Sequence, residues 1–221
     1  MSVPLKIRKF IINRVSDLFD SIKEKVLGLN RKNSLFFNLY MDAYRGSSGM
    51  SFPDPEQIEE LTHTSGRYID TLKLKTINEI VDTCQKASES TLNIPVSEQI
   101  DKSFKHLDMI VTTQAQTFQN MGAIEGIADL AGKSGDDDPS VYFLGPNDDK
   151  TCPTCLELYF MPDGKTPRIW KVSELGSGFF KRGDCCPSVS PIHPRCRHYP
   201  IYVPKGHGFV RGHLKKLSRK K

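Results

Sequence analysis

The sequence predicts an α+β chain: a long helical hairpin as its body, then a small module of short strands. Three observations predict it. Between residues 53 and 132, apolar side chains recur every three or four positions in two long stretches split by one turn. Beyond residue 140 that period gives way to short β-rich pieces between Gly- and Pro-rich turns. Five of the six cysteines, with two histidines, fall between residues 152 and 198.

The composition, 26% charged and 38% hydrophobic over 221 residues, is that of a folded globular chain. It excludes a collagen-like repeat, global disorder and a multi-pass membrane protein. No apolar run approaches the ~20 residues that span a bilayer. Lys6, Arg8, Lys9 and Arg14 interrupt the apolar stretch a secretory leader needs, so the sequence reads as a soluble chain kept inside a cell or a particle.

The net charge of +5 is unevenly spread. Residues 1–33 carry eight Lys and Arg against three acids, residues 195–221 carry nine and no acid, and the middle is acidic. Basic ends on an acidic body suit contact with polyanions, since each cation near a phosphate backbone displaces condensed counterions. Plain solubility is the lesser alternative.

Taken in order, residues 1–33 form a basic amphipathic N-terminal arm, with Ile7, Ile11, Val15, Leu18, Ile22, Val26 and Leu29 on one helical stripe. That stripe serves an arm docking on protein, membrane or nucleic acid as well as a first helix packed on the body. Residues 34–133 form the helical domain. After a short aromatic segment, residues 36–44, a helix starts near Pro55 and runs along Ile58, Leu61, Ile69, Leu72, Ile77, Ile80 and Cys84, with a break at Gly66. A turn covers residues 88–95. A second helix, capped by Ser97, carries Ile100, Phe104, Leu107, Val111, Phe118, Ile124 and Ile127. His63 and His106 are lone histidines and read as structural.

Residues 134–140, with Asp136, Asp137 and Asp138, form an acidic linker. The module of residues 141–204 should hold strands at residues 141–144, 156–160 and 199–203. So few short strands promise little core, which small modules offset with metal or crosslinks. Residues 205–221 form a basic tail. Leu214 and Leu217 are too few to bury a helix face, so the tail should be mobile, with Arg211, Lys215, Lys216, Arg219, Lys220 and Lys221 meeting DNA without reading its bases.

Cys152 and Cys155 make a C-x2-C knuckle, and His193 and Cys196 an H-x2-C knuckle 37 residues on. Two such knuckles supply the tetrahedron that zinc accepts, and four protein ligands make the site structural, not catalytic. Cys185, Cys186 and His198 are spare candidates. Reduced packing cysteines and disulfides are the other readings. A redox C-x2-C follows a strand and opens a helix, for which residues 156–160 with Pro162 leave little room.

The run Asp148-Asp-Lys-Thr-Cys-Pro-Thr-Cys-Leu-Glu-Leu158 resembles the D-x-x-T-C-x-x-C-x-x-L motif of the phage head morphogenesis family. Its second motif, P-x-H-P-x-C-R-C, is matched by residues 191–198, with His198 in place of the final cysteine. The resemblance covers residues 140–200. It implies a minor head protein of a Mu-like tailed phage, present in few copies and located in the virion near the portal, after assembly in the host cytoplasm. Its partners would be portal or other head proteins and, non-specifically, double-stranded phage DNA. No small-molecule substrate, membrane or enzymatic activity is implied. The alternatives are a zinc-ribbon nucleic-acid-binding regulator and an HNH-type nuclease. Against the nuclease, Ile192 and Pro194 flank His193 where a ββα unit is needed.

Overall fold

The computed structural model describes residues 5–28, 34–48, 55–89, 96–177 and 180–217. Five helices, α1 (Leu5–Leu27), α2 (Leu35–Ser48), α3 (Pro55–Glu89), α4 (Val96–Gly132) and α5 (Pro153–Tyr159), accompany five strands. These are β1 (Ser140–Leu144), β2 (Ile169–Lys171), β3 (Tyr199–Val203), β4 (His207–Val210) and β5 (His213–Lys216). This is the expected α+β order, a helical body and then a short-strand module. None of the described helices is long and apolar enough to cross a membrane.

The chain divides into two compact units, one of residues 1–37 and 55–112, the other of residues 38–54 and 113–221. α2 and α4 each contribute residues to both units.

In the first unit Phe19 of α1, Ile69 and Leu72 of α3 and Leu107 of α4 form a buried cluster. Each such side chain contributes about 1.5–3 kcal/mol. Further along α3, Ile80 shares an apolar cleft with Phe104, which precedes Leu107 on α4. The contacts therefore run in opposite directions along the two helices, as in an antiparallel hairpin. Of the turn expected over residues 88–95, residues 88 and 89 belong to α3, and residues 90–95 lie outside the described residues. Gly66 does not break α3. It is buried, and a Cβ there would meet the side chains of Leu27 and Lys23 of α1 at 3.4 Å, an ordinary packing distance. Lys23–Asp70 and Lys73–Asp20 pairs, at 2.6 and 2.8 Å, flank that contact. The described part of the N-terminal arm is thus a packed helix.

In the second unit α2 lies against α4 at Gly122 and Gly126. A Cβ on Gly126 would stand 2.5 Å from the Tyr44 carbonyl oxygen, and one on Gly122 would overlap that of Tyr40. The hydroxyls of Tyr40 and Tyr44 donate to Glu125 and Asp129 of α4. β1 is the centre of an antiparallel sheet ordered β2-β1-β3, with Val141 opposite both Trp170 and Tyr202.

The module has more core than its sequence promises. Ile127, Val141, Phe143, Leu158, Tyr159, Phe160 and Ile192 bury together with Cys155 and Cys196. The strand expected at residues 156–160 is instead the end of α5, with Phe160 only bridging to Pro167. Cys152 caps this helix and Pro153 occupies its first turn, where a missing N–H costs nothing. The acidic linker is ordered at its end, where Asp138 accepts the N–H and hydroxyl of Ser173 at 3.1 and 2.9 Å.

The tail is corrected most. Residues 207–216 are not mobile but form the β4–β5 hairpin, closed by Arg211 and Gly212 at φ 54° and 77°. Two residues of positive φ make the turn whose twist matches paired strands. Phe209 sets its ring edge-on to Tyr142 at 5.0 Å.

Candidate metal centre

The first knuckle is built by a loop that ties itself before the helix begins. The Thr151 hydroxyl donates to the Pro146 carbonyl at 2.9 Å, and the Asp148 N–H to the Thr151 hydroxyl oxygen at 3.1 Å. Cys152 then turns into α5, its sulfur accepting the Cys155 N–H at 3.3 Å. Both sulfurs face the same side, as a metal knuckle requires.

The second knuckle is a tight turn, with the Cys196 N–H donating to the His193 carbonyl at 3.1 Å and Arg195 at φ 63°. Arg197 reaches back across to Asp148 with both guanidinium arms, at 2.8 and 2.6 Å.

Cys155 is the hub. His193 Nε2 lies 3.3 Å and Cys196 Sγ 3.9 Å from its sulfur, and His198 Nδ1 lies 3.7 Å from Cys196 Sγ. Ligands at ~2.3 Å (sulfur) and ~2.0–2.1 Å (nitrogen) from a tetrahedral ion stand about 3.5–3.8 Å apart. These three separations fit that spacing to within a few tenths of an ångström, but Cys196 shares no group with Cys152 or His193 in which all ligand atoms lie within 4.8 Å of one another. Two mutually close triads share Cys155: Cys152, Cys155 and His193 outside, and Cys155, Cys196 and His198 buried. The cluster can hold a metal ion. The four residues expected from sequence are all here, but they do not form one mutually close tetrad, and His198, a spare in the sequence, joins them.

The two buried sulfurs share protons unequally. A hydrogen bond from Cys155 is the main influence holding the Cys196 thiol below its usual range, with His198 assisting and burial opposing. The same bond, with burial, pushes Cys155 far up. A bound dication would need both sulfurs as thiolates.

Cys152, Cys155, Cys185, Cys186 and Cys196 are all free thiols. Cys185 and Cys186 stand outside both triads. Among the described residues neither Asp136 to Asp138, His63 nor His106 belongs to a metal-capable group.

Of the six cations expected to meet DNA, Arg211 stands exposed in the hairpin turn and Lys215 and Lys216 stand exposed on β5. Arg219, Lys220 and Lys221 lie outside the described residues.

Sequence reasoning misses the helix after Cys152, although Pro153 directly behind a capping residue signals a helix start. No family model, no curated protein and no solved structure matches the chain.

Proposed function

We propose that this chain is a structural minor head protein of a tailed phage, acting at the portal vertex in head assembly, DNA packaging or delivery. One observation carries the reading. The two sequence motifs that resemble the phage head morphogenesis family, some 40 residues apart, meet in space through Asp148, Arg197 and the sulfurs around Cys155. The ion is zinc, because three thiolates with one imidazole suit a soft-tolerant tetrahedral d10 ion. It is held structurally, with no position left for substrate.

The hairpin supports the DNA contact. A two-stranded ribbon bearing Arg211, Lys215 and Lys216 presents cations on a fixed frame, while phosphate contacts of this kind carry no sequence preference.

A second reading, a redox dithiol, gains from the helix that Cys152 opens after β1. Donors from residues 193–198 around Cys155 weigh against it, since a dithiol pair needs none.

Quantitative mass spectrometry of purified virions from the phage encoding the chain tests the main reading. It predicts a few copies per particle, co-purifying with the portal. A chain absent from virions and from portal complexes contradicts it.

A further inference from the structure

Five donors, Cys155 among them, gather here, one more than a tetrahedral ion takes. The two histidines are therefore rivals for one position, and their surroundings differ.

His193 is half-buried, and its Nδ1 lies 2.9 Å from the Pro194 carbonyl oxygen. A carbonyl only accepts, so Nδ1 carries the proton. Nε2 is then a bare lone pair, 3.3 Å from Cys155 Sγ. A ring fixed by a backbone carbonyl at one nitrogen and free at the other is a prepared ligand.

His198 is only 2% exposed and is held on three sides. Tyr159 lies 4.7 Å from its ring centre, Phe160 meets it edge-on, and a Cβ on Gly145 would fall 2.5 Å from its Cδ2. The ring therefore keeps Nδ1 toward Cys196 Sγ. Nε2 has no hydrogen-bond partner among the described residues. A metal on Nδ1 would place the proton on Nε2, orphaning a buried N–H, the rarest kind of unsatisfied group. A proton on Nδ1 instead gives Cys196 a donor and leaves only a lone pair bare. Three thiolates around one dication leave a net negative charge, and a donated N–H offsets it.

We infer that His193 completes the tetrahedron and that His198 is a positioning residue, donating its Nδ1–H to the Cys196 thiolate. This rests on the metal reading above. His198 then orients the sulfur and lowers its charge without binding the ion.

Cobalt titration of the full chain tests it, since d–d bands report the number of thiolates. His193→Cys should shift wild-type bands to those of a four-thiolate site. His198→Cys and His198→Asn should keep three-thiolate bands and one equivalent, with affinity lowered about 10–100-fold. In wild type loaded with cadmium-113, nitrogen-15 correlation should show coupling to His193 Nε2 and a protonated Nδ1 on His198, which needs no variant to fold. Bands that follow residue 198, or cadmium coupling to His198 Nδ1, overturn the inference alone. A wild-type chain that binds neither ion overturns the metal reading and the inference with it.

Discussion

Asp148 and Arg197 are joined by two parallel hydrogen bonds of 2.8 and 2.6 Å, tying the loop before the first knuckle to the end of the second. The fork geometry matches a carboxylate in a way lysine cannot. Hydrogen bonding to Arg197 is the main reason that the Asp148 carboxyl sits well below the usual carboxylate range. The pair is partly exposed, so it registers the knuckles more than it stabilises the fold.

Its removal should therefore weaken metal retention more than melting. Asp148→Asn and Arg197→Lys are each expected to lower zinc affinity in chelator competition. The double variant should be little worse than either single one, because both remove the same interaction. Fully additive losses would show that the two residues act separately.

Gly122 and Gly126 let the α2 backbone lie on α4, and a methyl group at either position has no room. Gly122→Ala is expected to destabilise the second unit by about 1–3 kcal/mol through overpacking, despite alanine's better helix propensity. Denaturant unfolding followed by Trp170 fluorescence measures it; a stabilised variant would contradict the close crossing.

Asp163 accepts the Thr166 hydroxyl at 2.5 Å and the N–H groups of Thr166 and Lys165 at 2.8 and 2.9 Å. The Thr166 side chain is the first cause of its lowered pKa. A depressed folded-state value gives stability present above the unfolded value of about 3.9 and lost as pH falls through the folded value. Asp163→Asn should thus melt below wild type at neutral pH, and the gap should narrow as pH falls below about 4. A gap independent of pH would contradict the assignment.

The basic hairpin should bind duplex DNA without sequence preference. Neutralising Arg211, Lys215 and Lys216 should flatten the log–log salt dependence by about 0.9 for each phosphate left without its cation. A chain truncated after Pro204 that binds as tightly as the full chain at several salt concentrations would exclude the hairpin as the DNA-binding element.

The helical body was legible because Ile69, Leu72, Ile80 and Leu107 repeat at helical spacing and bury together or line one cleft. The first knuckle was legible because spacing alone brings Cys152 to Cys155, whereas His193 meets Cys155 and Cys196 meets His198. Three features were not. Residues 156–160 form a short apolar run, which periodicity cannot assign to strand or helix. Gly122 and Gly126 are silent in any count of apolar side chains, although they set the α2–α4 approach. The hairpin hides behind its charge: Arg211-Gly212 is a two-residue turn, but the lysines on β5 obscure the strand beside Phe209.

The central claim is that Cys152, Cys155, Cys196 and a histidine hold one structural zinc. Elemental analysis of the full chain, purified without chelator and scored for folding by circular dichroism, tests it most directly. The account predicts close to one zinc per chain, with loss of tertiary signal in the second unit when a strong chelator removes it. A fully folded chain that carries no metal, and takes up none when zinc is added, would contradict it.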